Sequence, residues 1–248
     1  RVTPEVLREF YRKYYHSGNC SVYVSGKVTP EIVRCIESNL GEAPWGEIRT
    51  MPSLELIEPQ QTTEKHVFVE KADALQSSLK MGGFMMDRVH PDFLKARVMV
   101  TLFGGYFGSR LMSNIREDKG YTYGIGAGIV NCPGSGVLVI TTEADNQYID
   151  AIISEVYQEM DRMCNDLAPQ EELEMVRSYM LGDFCRSYEG PFSLSEAWIY
   201  CKTADLDEDF FVRSLDAIRS VTAEEIRTLA QRYLCKEKLI EVVAGKKV

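Results

Sequence analysis

The two ends of this chain are copies of one another. The segment VTPEVLREFYRKYYHSGNCSVYVSGK at 2–27 aligns without a gap on VTAEEIRTLAQRYLCKEKLIEVVAGK at 221–246. Val2, Thr3, Glu5, Arg8, Tyr14, Gly26 and Lys27 each meet their own residue type 219 positions later. Convergent amphipathic patterning could give two helix–strand units the same apolar spacing. It gives no reason for the shared polar identities, so an internal duplication is the better account. If each copy closes a module, the chain carries the tail of one module and then a complete second one. We therefore expect residues 1–48 to be the tail of a preceding homologous module plus the start of a linker, and 49–248 to be a complete domain. The chain begins at Arg1, directly in a helix pattern and without a Met, and so reads as part of a longer protein.

Local signals fill in both modules. Thr3-Pro4-Glu5 and Thr29-Pro30-Glu31 each supply an N-cap, a first-turn proline and an early acid. Leu7, Phe10, Tyr11 and Tyr14 then share one helical face, and Cys20–Ser25 reads as a short strand ending at Gly26. Gly41, Pro44, Gly46, Pro52 and Pro59 break all periodicity over 41–63, which marks the linker, with Trp45 packing it onto a domain. Strands follow at 65–71 and 75–84, the second alternating Leu75, Ser77, Leu79 and Met81 with Gln76, Ser78 and Lys80. Helices are expected at 91–103 and 109–118, then a hairpin of 121–130 and 137–143 around residues 131–136. Helical patterns occupy 146–165, 169–188, 192–203, 207–219 and 222–234, and a last strand spans 239–244. The set predicts an α+β fold: an antiparallel sheet with helices packed on one face.

Composition excludes several functions. A net charge of −9 leaves no excess of Lys and Arg to displace counterions from a phosphate backbone, so nucleic acid is not an expected partner. No apolar run approaches the roughly 18 residues of a membrane span. The 7 cysteines are odd in number and contain no Cys-x-x-Cys, so they are expected to be mostly small buried hydrophobes, with a mild preference for a reducing compartment. The three histidines, His16, His66 and His90, are isolated from one another and read as surface or cap residues. The acidic stretches at 155–174 and 205–225 read as solvated faces. Met81, Phe84, Met85 and Met86 read as core or interface.

The stretch LFGGYFGSRLMSNIREDKGYTYGIGAG at 102–128 carries a family resemblance. Gly104-Gly105, Ser109-Arg110-Leu111, Arg116-Glu117, Gly120 and Tyr123 match the signature of the second half of insulinase/pitrilysin-type zinc metallopeptidases, which include the mitochondrial processing peptidases. The helix–strand unit at 3–26, Glu171-Glu172-Leu173 and the closing helix from Val221 fit the same pattern, so the resemblance covers essentially the whole chain. It implies the sheet-and-helix fold of those enzymes. It also implies that zinc and its His-x-x-Glu-His ligands belong to a homologous partner half, covalent or separate. This chain contains neither that motif nor the forward His-Glu-x-x-His, so no catalytic and no metal-binding residue is assigned to it. Tyr121 departs from the family, which usually has an aliphatic residue there.

The resemblance implies that Arg116 and Tyr123 contact a peptide substrate beside the metal, inside a chamber this half helps to close. Residue chemistry agrees, since a guanidinium and a phenol are donors suited to a peptide carbonyl or the oxyanion derived from it. The alternative is that Arg116 pairs with a nearby acid while Tyr123 packs in the sheet. Gly104-Gly105-x-x-Gly108-Ser109 lacks the Lys-Ser/Thr of a phosphate loop, and reads instead as close helix packing with Ser109 as a cap. A binding or scaffold module without hydrolysis is the rival function.

Overall fold

The computed structural model describes residues 2–46, 62–132 and 134–247. Most of the expected linker lies outside the described residues. The described residues form two compact units: 2–46 with 187–203, and 62–186 with 204–247.

The larger unit is built on a five-stranded sheet of order β1-β5-β2-β4-β3. Its strands are β1 (His66–Glu70), β2 (Gln76–Met85), β3 (Thr122–Cys132), β4 (Ser135–Asp145) and β5 (Ile240–Gly245). Period-two burial explains why β2 and β4 face one layer of helices. Ser77, Leu79 and Met81 of β2 and Leu138, Ile140, Thr142 and Ala144 of β4 are buried, while Gln76, Lys80, Thr141 and Glu143 are exposed. On that side α3 (Phe93–Val100) packs on β3, and around it lie α4 (Ile149–Asn165), α5 (Gln170–Arg186), α7 (Phe210–Ser220) and α8 (Ala223–Tyr233), with α5, α7 and α8 against α3 and α4 against α8. Phe93, Met99, Phe103, Ile152 and Met160 from this layer are almost fully buried.

The α+β class and the helix-covered sheet match the sequence reading, with one difference. β1 pairs with β5 in parallel, from His66↔Glu241 to Glu70↔Gly245, whereas the other three pairings are antiparallel. β1 and β2 do run in opposite directions, as their short connection requires. However, β5 enters between them, bonded to β2 in antiparallel register from Ser78↔Ala244 to Gly82↔Ile240. Other differences are local. Leu75 precedes β2 and is exposed. The β3–β4 hairpin is tighter than expected: Asn131–Cys132 and Ser135–Gly136 pair as strand, and Gly134 stands at φ 76°. Most cysteines are not core residues: Cys20, Cys35, Cys132 and Cys185 are exposed, and Cys201 alone of the seven is buried.

The smaller unit contains α1 (Pro4–Tyr14), α2 (Pro30–Ile36) and α6 (Pro191–Thr203). Trp45 is held within it, its indole N–H donating to the Leu40 carbonyl (3.2 Å) and its own carbonyl accepting from the Ser17 N–H (2.9 Å). The N-terminal repeat follows the C-terminal one element by element at a constant offset of 219 residues. α1 (4–14) corresponds to α8 (223–233), and the 3-10 turn Ser17–Asn19 to Lys236–Lys238. The caps correspond too. Thr3 Oγ1 accepts from the Val6 N–H (3.4 Å) and Thr222 Oγ1 from the Glu225 N–H (3.2 Å). The Tyr15 N–H closes on the Tyr11 carbonyl and the Leu234 N–H on the Ala230 carbonyl.

Environment is where the copies differ. Ile226, Leu229 and Ala230 of α8 are buried, whereas their counterparts Leu7, Phe10 and Tyr11 are exposed. Residues 20–25, most of which correspond to β5, form no strand in the described structure; this corrects the strand expected there. A matched pair of truncations measures the difference. Leu229→Ala should cost about 2–4 kcal/mol in urea unfolding followed by circular dichroism. Phe10→Ala, at the equivalent position, should change the stability of this chain by less than about 0.5 kcal/mol.

α8 is also tied at both ends by carboxylates. The Glu225 carboxylate completes a capping box, accepting from the Thr222 N–H (3.0 Å), and also accepts from Lys95 Nζ (2.5 Å). Asp92 accepts from the Tyr233 hydroxyl (2.7 Å) and from Arg232 (2.5 Å). The Tyr233 hydrogen bond and then Arg232 hold the Asp92 carboxyl below its usual range, and Lys95 followed by the Thr222 backbone does the same for Glu225. A depressed folded-state pKa contributes stability that is present above the unfolded value and lost as pH falls through the folded one. Acid titration should therefore weaken the α8 anchorage below about pH 4. Asp92→Asn should flatten that part of the pH–stability curve.

Candidate functional site

The site segment descends from α3 through a π-helical continuation, Thr101–Gly105, into a tight turn closed by the Ser109 N–H on the Tyr106 carbonyl (3.1 Å). Gly104 is required here by close approach: a Cβ would lie 2.7 Å from Ala127 Cβ of β3 and 2.9 Å from Leu111 Cδ1. The close approach expected of the glycine cluster is present, but at Gly104 it brings the helix onto strand β3 as well as onto Leu111, where the packing of two helices was expected. Ser109 differs from expectation: it is fully buried, and its hydroxyl has no hydrogen-bond partner among the described residues.

A second π-helical segment, Met112–Asp118, carries Arg116 in its last turn. Gly120 at φ 65° reverses the chain in a left-handed conformation, and the Tyr121 N–H reaches back to the Ile115 carbonyl (3.1 Å), the long bond of a Schellman-type helix end. β3 starts immediately after, so Tyr123 is its second residue. Thr122 is buried and bonded to Thr142 Oγ1 (2.8 Å) and the Glu143 carbonyl (2.7 Å), which fixes the register of the strand start. Alternation then turns the Tyr123 side chain outward, 93% exposed.

Arg116 and Tyr123 are neighbours in space. Arg116 Nε donates to the Tyr123 carbonyl at 2.9 Å, and the guanidinium carbon lies 5.9 Å from the Tyr123 ring centroid. The nearest acid is Glu117, 3.8 Å away, a marginal and partly exposed ion pair. One N–H of Arg116 is therefore committed to the Tyr123 carbonyl, and of its terminal nitrogens Nη1 lies 3.8 Å from Glu117. Sequence reasoning missed Phe107, the residue after Tyr106 in the tight turn. Its ring lies under the Arg116 guanidinium at 4.6 Å and is 61% exposed. No sequence signal marks it, since an exposed Phe in a turn looks like any other apolar residue.

A nearby hollow of about 680 Å³ is lined by Arg110, Asn114, Lys119, Glu159 and Arg162. These four charged residues are each paired. Arg110 makes a two-pronged contact with Glu172 (both 2.8 Å), Lys119 meets Glu155 (3.0 Å), and buried Glu159 accepts from Asn114 (2.7 Å) and Arg162 (2.5 Å). These acids on α4 and α5 are structural ion-pair partners, which corrects the expectation of a purely solvated face.

The described residues do not fit a zinc site, and contain no group of three His, Cys, Asp or Glu that could hold a metal. Each histidine stands on a different element. His90 accepts from the Asp92 N–H (3.1 Å) at the entry to α3, as a cap should. His66 Nδ1 pairs with Glu241 (2.6 Å), which also accepts from the Tyr157 hydroxyl, joining β1, β5 and α4. His16 is the N-cap residue of the 3-10 turn Ser17–Asn19 but is buried, and neither ring nitrogen has a partner among the described residues. The helices of the described residues include none long and apolar enough to cross a membrane.

Comparison with known proteins places this geometry in a family. The zinc protease YmxG of Bacillus subtilis, itself uncharacterised, is 21% identical over 96% of this chain and 57% of its own length. A probable inactive metalloprotease, YmfF of the same organism, is 21% identical over 91% of the chain and 52% of its own length. The chain thus spans little more than half of the curated relatives it matches. The crystal structure of a peptidase M16 inactive domain from Pseudomonas fluorescens covers the whole chain at a TM-score of 0.84 and 22% identity, over 58% of that protein, and shares its fold. The family model described as the peptidase M16 inactive domain matches residues 1–180, and the chain belongs to that family.

Proposed function

We propose that this chain is the substrate-contacting, chamber-closing half of a zinc-dependent endopeptidase acting on peptides or unfolded segments. Zinc and the general base would come from a homologous half, covalent or separate. The observation that carries the reading is the juxtaposition of Arg116 and Tyr123. A charged fork and a phenol sit side by side at the start of an edge strand, oriented by a backbone carbonyl instead of being neutralised by a carboxylate. Such donors can hold a substrate carbonyl and stabilise the oxyanion that forms when water adds to it. A non-hydrolytic binding role is the second reading, favoured by the relative named as a probable inactive metalloprotease.

In the full-length protein with its zinc-bearing half, Tyr123→Phe removes one donor and keeps the ring. kcat on an unstructured peptide should fall roughly 10–1000-fold with a smaller change in KM. Arg116→Ala should raise KM as well, since its charge also holds the ground state. Wild-type kinetics in both variants would remove the two residues from the mechanism.

We also infer that residues 1–48 close a preceding homologous module and that 49–248 form the inactive domain proper. The exposed apolar face of α1 supports this, because in the second copy the corresponding face is buried. In such a module residues 21–26 would take the position β5 takes here, between a parallel and an antiparallel neighbour. Hydrogen exchange on the full-length protein should show the amides of 21–25 as protected as those of 240–244. Fast exchange there would reject the assignment.

A further inference from the structure

Phe107 occupies a position that the backbone forces outward. The turn from Tyr106 to Ser109 is closed by the Ser109 N–H on the Tyr106 carbonyl, and both flanking residues are anchored inward. Tyr106 stacks on Tyr179 of α5 with centroids 4.8 Å apart, and Ser109 is fully buried. Gly108 has no room for a side chain, since a Cβ there would meet the Tyr106 ring at 2.9 Å and the Met175 sulfur at 3.3 Å. With its neighbours pinned in this way, Phe107 cannot withdraw into the core. It presents a ring that remains 61% exposed even with Arg116 over one face.

We infer that Phe107 is a third substrate-contacting residue, an apolar platform that favours a large aliphatic or aromatic side chain on the peptide residue flanking the carbonyl held by Arg116 and Tyr123. This rests on the function proposed above for those two residues. The physical case has two parts. The ring restrains the Arg116 guanidinium from below by a cation–π contact, so that its donors stay aimed. The same guanidinium lies 4.6 Å from the Phe107 ring and 5.9 Å from the Tyr123 ring, both rings are exposed, and the uncovered part of Phe107 gains by removing apolar area from water only when a large side chain covers it. Arg116 and Tyr123 select for a carbonyl, which every peptide has. Phe107 supplies the preference among side chains that they lack.

The test uses the full-length protein with its zinc-bearing half and two peptides that differ only at the positions flanking the scissile bond, Phe in one and Gly in the other. Wild type should prefer the Phe peptide in kcat/KM. Phe107→Ala should lower that preference roughly tenfold, mainly through KM on the Phe peptide, and Phe107→Leu should restore most of it. An equal loss on both peptides would mean that the ring only restrains Arg116, and would overturn the specificity role. An unchanged preference in Phe107→Ala, with Tyr123→Phe and Arg116→Ala impaired, would overturn the inference and leave the proposed function intact. Wild-type behaviour in all three variants would sink both. Because the ring is largely exposed, Phe107→Ala should fold, and an unchanged thermal melt verifies this.

Discussion

β1 and β2 adjoin in the chain but not in the sheet, because β5 lies between them and hydrogen-bonds to both. The larger unit depends on that insertion. Without β5, β1 has no partner, β2 loses one of its two, and α8 has no strand leading away from it into the sheet. The buried face of α8 is also the surface on which α3 and α4 rest, so strand and helix act as one closing unit. Glu241 reinforces it from within β5, accepting from His66 on β1 and Tyr157 on α4. A carboxylate buried this deeply is tolerable only because it is satisfied from two directions.

The candidate site sits at the opposite edge of the same sheet. β3 is an edge strand, and its first residues are held by Thr122 and by the reversal at Gly120 instead of by a second neighbouring strand. Arg116 reaches across that reversal to the Tyr123 carbonyl and in doing so joins helix end to strand start. The geometry is therefore local in chain but rigid in space. Gly104 against Ala127 fixes the preceding helix to β3, and the turn that carries Phe107 is anchored on α5. A guanidinium oriented by a neutral carbonyl keeps its full charge for a ligand, which an Arg locked to a carboxylate does not. Arg110, three residues before Ser113 and bound on both prongs to Glu172, illustrates the alternative within the same segment.

Much of this was legible in the residues. Thr3, Thr29 and Thr222 announced their helices because capping is a local transaction between one side chain and one backbone N–H. The alternation in β2 gave its buried face, and the spacing from Arg116 through Gly120 to Tyr123 gave a helix end, a reversal and a strand start. Illegible features were those decided by distant partners. The parallel pairing of β1 depends on a strand some 170 residues away. Whether Cys20–Ser25 forms a strand depends on a neighbour that local patterning cannot supply. Glu159 looked like a solvated helix residue until Asn114 and Arg162 converged on it. Phe107 has no motif at all: its role follows from the turn that holds it.

The order in which the sheet is completed has a consequence for synthesis. β2 ends at Met85 and β5 starts at Ile240, so a slot must stay open while the intervening residues are translated. At about 5–20 residues per second this takes roughly 8–30 s. During that interval β2 presents one unpaired edge and β1 two, which is the circumstance in which strands add to the wrong chain. The sequence carries its own moderation: β1 is only five residues long, and β2 carries an exposed charge at Lys80. The sheet of the larger unit is therefore complete only when α8 and β5 emerge and fill the gap between β1 and β2.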